Sequence, residues 1–516
     1  MKINIKNILH FFNTHRENFF LLFILIIASC FRLYNFPHRW GLGGDDMRDI
    51  AIAKEALLRK ELPLIGSFSS AGPFVFGPLF YWFIMISYLI FPVLTGPWIM
   101  LTLVGILTTY IIVECGKVLG GTRMSIIAGI MAATSPQLIA RSIALNQHSL
   151  IAITTSLVIL NYVLYWQKKK LIYAFFAGLS LGIALSMHYQ AINLLIFLPA
   201  IFFVPEIKIQ KRIIGLIVML IGLILPSLPI LLWDSRQNFA NIRNILDYFL
   251  IGQYRIYVPN SWKLFLFKYF PDYWLFVLGG HRYIAFFEIL LVIYTFLLAL
   301  IKKKISSIMV MLGSIFLTLS MLNKYYRGER FEGYLIYLAP FIIIFSAWAL
   351  DILISKSQSR YVGYVLLALI IYGNVFLTTN HVVTGENHLA RYENIRKILL
   401  NEYPNKKLSL YDFEWRSSDE SYPVSALLKN SNKTDPNGVP IGFIWEAKKK
   451  YLLGGTIITS FDGNLIVDLT NDTSFNKNKA NWIKVNQGDI YDSLMQWTTT
   501  RKLKSNFSFE LFNFKI

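Results

Sequence analysis

The chain reads as a polytopic α-helical membrane protein of about eleven spans followed by a small C-terminal α/β soluble domain, and three observations predict it. Of its 516 residues, 55% are hydrophobic and only 16% charged, whereas soluble domains run nearer a quarter charged. The apolar residues fall in blocks of about 15 to 20, the length that carries a helix across a bilayer core. From about residue 380 the composition turns abruptly to Asn, Lys, Asp and Ser. Helix is the expected spanning form, because lipid offers no partner to an unpaired backbone group, and the ten-residue alternation of a membrane barrel is not seen.

Taken in order, the apolar blocks place candidate spans at roughly 18–35, 79–94, 98–115, 124–140, 149–167, 171–187, 190–204, 213–232, 284–301, 305–322, 333–352 and 361–378. The first follows Lys2 and Lys6 and runs into Arg32-Leu33-Tyr34-Asn35 without a small-residue cleavage site. It is therefore expected as an uncleaved helix with its N-terminus inside. Much of the +20 net charge sits in clusters between blocks: Lys168-Lys169-Lys170, Lys208/Lys211/Arg212, Lys302-Lys303-Lys304 and Lys356/Arg360. Positive loops stay in the cytoplasm, so the clusters orient the chain. No basic run is interleaved with aromatics in a soluble module, and nucleic acid is not an expected partner.

With those clusters inside, the outer ends are 141–148, 188–189, 233–283, 323–332 and everything after 379. Twelve crossings would return the tail to the inside. One of 79–94, 98–115 and 124–140 must therefore fail to cross or merge with a neighbour, which leaves about eleven spans. Residues 1–378 thus form the transmembrane domain, with long outer loops 36–78 and 233–283, and residues 379–516 a soluble extracytoplasmic domain. In that tail, 389–402 reads as a helix and 407–412 and 451–467 as strands. Cys30 and Cys115 both lie in apolar segments and are expected as core packing rather than a disulfide or metal pair.

The first outer loop carries the richest chemistry. It opens with Gly41-Leu42-Gly43-Gly44-Asp45-Asp46-Met47-Arg48-Asp49, where glycines permit a sharp turn and Asp45 or Asp46 can cap the helix that follows. That helix, about 46–60, puts Met47, Ile50, Ala53, Leu57 and Leu58 on one face and Lys54, Glu55, Arg59 and Lys60 on the other, the pattern of an interfacial helix. Asp45 and Asp49 are one turn apart and face the same way. Three carboxylates and an arginine at a membrane surface serve as general base, metal ligand or ion-pair network, or simply as a solvated cap. Leu64 to Trp82 then returns to the bilayer through Gly- and Pro-punctuated loop and the aromatic run Phe80-Tyr81-Trp82.

Gly44-Asp45-Asp46-Met47-Arg48-Asp49, Leu64-Ile65-Gly66 and Gly77-Pro78-Leu79-Phe80-Tyr81-Trp82 together resemble the first-loop signature of the GT-C type membrane glycosyltransferases. Within them, the nearest resemblance is to glycosyltransferase family 39, the protein O-mannosyltransferases and aminoarabinose lipid A transferases. It continues through Ala140-Arg141-Ser142-Ile143-Ala144-Leu145-Asn146 and Gly182 to Tyr189, and covers roughly residues 18–350. The tail carries no motif of the family.

The resemblance implies a GT-C-like fold and transfer of a sugar from a polyprenyl-phosphate donor to an acceptor hydroxyl or amine on protein, lipid or glycan at the outer face. Asp45 matches the catalytic base, and Asp46 stands where relatives carry Glu or Gln. Arg48 and Asp49, in the same motif, are expected to bind substrate. Asn146 falls where many members hold a second acid, with Gln147 or His148 as alternative polar groups. His188 and Tyr189 match an outer-end polar position, although a lone His between apolar runs is often a helix–helix hydrogen bond. Arg327 and Arg330, in Asn323 to Arg330, are the candidates for the lipid phosphate; headgroup binding or ion pairs with Glu329 and Glu332 compete with that role. No metal ligand set is assigned, and the cofactor stays undefined: a divalent metal is compatible with the carboxylates without being required. The rival functions are a transporter or flippase of lipid-linked sugars, and a membrane-anchored binding module.

Overall fold

The computed structural model describes residues 16–36, 44–69, 72–252, 261–325, 332–382, 388–414, 418–461, 463–477 and 479–485. Helix α1, Arg16–Leu33, is followed by α2, Gly44–Arg59, and α3, Leu79–Ile90. The candidate span 98–115 and most of 124–140 lie in one helical run, α4, Gly96–Thr134, which is broken at Gly121 (φ 79°, ψ −168°). A residue with that φ reverses the chain cheaply only as glycine. A Cβ at Gly116 would stand 2.8 Å from the Ser125 Cα, and one at Gly129 would stand 2.6 Å from Val113. Residues at similar distances on either side of Gly121 therefore touch, and the run is a tight antiparallel hairpin rather than a 39-residue rod.

The short helix α5, Pro136–Arg141, leads through a 3₁₀ turn, Gln147–Leu150, into α6, Ile151–Lys168, and α7, Leu171–Met187. The span expected at 190–204 is a mixed 3₁₀ and α segment, Tyr189–Phe203. Then come α8, Ile209–Ser235; α9, Ala240–Leu250; α10, Phe270–Val277; α11, Arg282–Ile301; α12, Ser307–Tyr325; α13, Ala339–Ser355; and α14, Arg360–Leu377. Among the described residues, six helices are long and apolar enough to cross a membrane: Gly96–Thr134, Gln147–Lys168, Ile209–Ser235, Arg282–Ile301, Glu332–Ser355 and Arg360–Asn380. Four shorter apolar helices, Leu79–Ile90, Leu171–Met187, Tyr189–Phe203 and Ser307–Asn323, stand beside them. Burial sorts them. Phe341 to Leu350 of α13 are buried without a break, so α13 runs through the centre of the bundle. Helices α8, α11 and α14 present Ile217, Ile221, Leu290, Leu297 and Val365 outward, as a face toward acyl chains requires.

The tail is an α/β unit. Its sheet has the order β3-β4-β2-β1-β5, from β1 (Leu408–Phe413), β2 (Val439–Trp445), β3 (Thr456–Phe461), β4 (Asn464–Asp468) and β5 (Trp482–Lys484). Strands β1 and β2 are parallel and the other pairs antiparallel. Helices α15, His388–Glu402, and α16, Ser418–Asn430, complete it. The single strand expected at 451–467 is a 3₁₀ turn, Glu446–Tyr451, and then two strands reversed at Gly463, whose φ of +74° breaks the run.

Two smaller expectations also change. Cys30 is exposed on α1 and only Cys115 is core packing. On α2, Met47, Ile50, Ala53 and Ala56 are buried, but Leu58 is exposed, because each residue steps about 100° round the axis and carries Leu58 off the face that Leu57 shares. Nor is α2 a bare interfacial helix, since α3 packs on one side and α16 of the tail on another.

Candidate active site

Helix α2 holds the acids in a chain of contacts. Arg48 reaches back to Asp45 (Nη1–Oδ1 2.6 Å) and across to Asp49 (Nε and Nη2 to Oδ1, 2.9 Å). Asp49 is buried and also accepts a hydrogen bond from the Tyr81 hydroxyl of α3 at 3.4 Å. Burial pushes the Asp49 carboxyl above its ordinary range, against the pull of Arg48. Asp45 lies one turn earlier with 86% of its side chain exposed and its carboxylate in contact with Arg48. Asp46 is half-buried beside it.

From α2 the chain reaches a narrow hairpin. The Gly66 N–H donates to Phe76 O (2.8 Å), the Phe76 N–H to Ser67 O (3.0 Å) and the Ser69 N–H to Phe74 O (3.0 Å). Glycine is needed at two points. A Cβ on Gly66 would meet Gly77 O at 2.2 Å, and one on Gly77 would meet Ser186 Oγ at 2.1 Å. This close fit lays Phe76 on the His188 ring, centroids 4.5 Å apart. Gln147 Nε2 donates to Ser67 Oγ from the other side.

His148 and His188 then meet, ring centroids 4.3 Å apart, and Tyr334 lies against both at 5.1 and 5.4 Å. Tyr189 packs on Phe76 at 5.2 Å. Beside this aromatic group is a polar one. Arg141, 6% exposed, pairs with Glu332 at 3.3 Å. The Tyr337 hydroxyl accepts from Asn193 Nδ2 at 2.9 Å and from Asn323 Nδ2. Arg141 also lines a small cavity with Thr108, Ser142 and Ser149.

The structure thus brings His148, His188 and Tyr189 together and joins them to the acid-bearing loop through the hairpin. Asn146 does something else: its Oδ1 accepts from Ser149 N (3.2 Å) and Ser149 Oγ (3.0 Å), capping the turn that presents His148. Arg327 and Arg330 lie outside the described residues. Asp272 is paired with Arg282 at 3.8 Å, and His281 caps α11 through Tyr283 N. Among the described residues, no group of three or more His, Cys, Asp or Glu side chains is placed to hold a metal ion. Sequence reasoning quoted Arg141 without a role and passed over Phe76, Tyr334 and Tyr337. Arg141 was findable, as a charge set between two apolar blocks; the aromatics were not, because every neighbouring block is equally rich in them.

Residues 73–233 match the family model of the dolichyl-phosphate-mannose-protein mannosyltransferases. The fold is similar to that of ArnT from Cupriavidus metallidurans bound to undecaprenyl phosphate, with a TM-score of 0.61 at 11% identity over 87% of this chain and 97% of that one. It is similar as well to the archaeal oligosaccharyltransferase AglB from Archaeoglobus fulgidus, in complex with an inhibitory peptide and a dolichol-phosphate, with a TM-score of 0.53 at 13% identity over 85% of this chain and 71% of that one. No curated protein matches the sequence. The family segment contains the 77–82, 140–146 and 182–189 motifs, and the resemblance to the GT-C type glycosyltransferases holds in both sequence and fold.

Proposed function

We propose that this chain, a GT-C type membrane glycosyltransferase by its family match and its fold, moves a sugar from a polyprenyl-phosphate donor to an acceptor hydroxyl or amine at the outer membrane face. The observation that carries the reading is the exposed Asp45 carboxylate, tied to Arg48 and leading through one hairpin to the Arg141 and His148–His188 group. The acceptor oxygen or nitrogen attacks the anomeric carbon while the bond from that carbon to the phosphate oxygen breaks. Asp45 takes the acceptor's proton. The electron pair leaves on the lipid phosphate, whose added charge falls to Arg141 and to the sequence candidates Arg327 and Arg330. In-line attack of this kind inverts the anomeric centre.

The same reading orders the membrane topology. Glu17, at the start of α1, pairs with Lys117 at 2.8 Å and accepts from Thr122 at 2.5 Å, on either side of the Gly121 turn. Arg123 pairs with Asp351 near the end of α13. These contacts support one common inner face for all three ends. Helix α3, with 12 residues, is about 18 Å long against a core of about 30 Å, and is the segment that does not cross. The remaining spans are α1, the two arms of α4, α6, α7, 189–203, α8, α11, α12, α13 and α14, which makes eleven and leaves the tail outside.

A transport reading would lean on Glu288, buried in α11 with Trp274 Nε1 donating to it at 3.0 Å. Six residues from Arg282, it sits only about 9 Å below that helix end, well short of the midplane where transporters bind. The deciding experiment incubates the purified chain with polyprenyl-phosphate sugars and a panel of acceptors. Loss of donor in the wild type and none in Asp45→Asn, with both equally folded, is the expected result; transfer by Asp45→Asn at the wild-type rate overturns the reading.

A further inference from the structure

We infer that Asn241 is a positioning residue for this transfer, gripping the backbone of Val75 so that the paired segments 66–69 and 72–76 hold Phe76 against His188; the inference rests on the transferase reading of that site. In the hairpin the ladder hydrogen bonds are made by Phe74 and Phe76, so both backbone groups of Val75 point away from it. Asn241 takes both. The Val75 N–H donates to Asn241 Oδ1 at 2.8 Å, and Asn241 Nδ2 donates to Val75 O at 3.2 Å. The Tyr189 hydroxyl donates to the same oxygen at 2.7 Å. One amide side chain thereby replaces the strand that the hairpin's outer edge lacks, since it is donor and acceptor at once.

Helix α9 grips a second time one turn on, where Asn244 Nδ2 donates to Pro73 O at 2.8 Å. The helix is itself anchored. Asp234, buried at the end of α8, accepts from the N–H groups of Asn241 (2.8 Å) and Ile242 (3.0 Å). Asn241 and Asn244 are each 1% exposed, and burying two amides is costly unless their bonds are made. On its far side, α9 exposes Leu246 and Leu250, and Phe239 just before it is exposed too, continuing the outward Leu225, Leu228 and Leu232 of α8. The grip therefore works from an element seated against lipid onto a loop that reaches the histidines.

The test uses the full-length chain in vesicles with a polyprenyl-phosphate sugar. Asn241→Ala is expected to lower kcat about tenfold, the scale of leaving a buried N–H unpaired, with the donor KM changed less than about threefold. Asn241→Asp, which keeps the acceptor but loses the donor to Val75 O, should behave alike. Tyr189→Phe should cost less, and combined with Asn241→Ala less than the product of the two, since both bonds end on one oxygen. The second readout needs no activity: carbethoxylation of His188 by diethyl pyrocarbonate, read by mass spectrometry, should rise in the Asn241 variants as Phe76 comes away. If Asn241→Ala does not fold, Tyr189→Phe and Asn244→Ala carry the same two readouts. A fall in kcat without a change in His188 labelling overturns the inference, as does increased labelling with unchanged kcat. A wild-type chain that transfers nothing sinks the transferase reading instead, and the labelling then decides the grip alone.

Discussion

Asp45 and Asp49 lie one turn apart on α2 and have opposite fates. Asp45 is exposed, so Asp45→Asn should shift stability by no more than about 0.5 kcal/mol while removing transfer. Asp49 is buried against Arg48 and Tyr81. Removing it with Asp49→Ala leaves Arg48 with Asp45 alone and the buried Tyr81 hydroxyl without this acceptor, and should cost about 2 kcal/mol, seen as a lowered Tm before any assay is run. Comparing the two variants separates chemistry from scaffold on one helix face. Lys54, further along α2, stacks over Tyr88 at 4.7 Å. Burial, and then Lys429 of the tail, lower its ammonium to about 8 from an ordinary 10.5. The folded chain then binds fewer protons than the unfolded chain between those values, so stability rises as pH climbs from about 8 toward 10.5. Lys54→Met should raise Tm at pH 7 and flatten that rise, as thermal unfolding across the pH range would record.

At the scale of elements, glycine decides where the backbone closes on itself. Gly66→Ala drives a Cβ into a carbonyl oxygen, which cannot yield, whereas Gly77→Ala meets first the Ser186 hydroxyl. Both should destabilise by about 2 kcal/mol or more; Ser186→Ala should recover part of the loss for Gly77→Ala and none for Gly66→Ala, with Tm as the measure. The elements themselves were largely legible, because a span must be apolar for its whole length and a basic loop marks its inner end. The reversal near Gly121 is legible as the gap between the spans expected at 98–115 and 124–140; its tightness is not, since Gly120-Gly121 supplies no loop and the two arms run almost directly into one another. The tail's β2 and α16 escaped for a related reason. Their buried residues, such as Ile441, Phe443, Val424 and Leu428, owe their burial to partners across the sheet and on α15, and hydropathy along the chain carries no record of partners.

For the whole molecule the decisive arrangement is the tail on the membrane domain. Helix α16 packs on α2, the helix that carries the acids, so the tail roofs the site's own scaffold. Leu427→Asp, placing a charge at a buried position of α16, should release the tail, raise its susceptibility to limited proteolysis, and reduce transfer along with it. The site itself was legible only in pieces. Asp45, His148 and His188 stood out as polar groups at outer ends, but Phe76, Arg141 and Tyr334 join them from positions more than 180 residues apart in part, and one sequence cannot reveal that convergence.

Arg32 carries a consequence for how such a chain is made. It is fully buried near the end of α1, donating to Ala28 O and Ala133 O at 3.2 Å and to Ala132 O at 3.3 Å. Two of those acceptors belong to the second arm of the Gly121 hairpin, about a hundred residues downstream. While the ribosome is still making the intervening chain, α1 must wait with a charged group lacking those partners, in a setting where a guanidinium is costly. The packing of the first helix is therefore completed by a segment made about a hundred residues later, and the settled position of α1 depends on the second arm of the Gly121 hairpin.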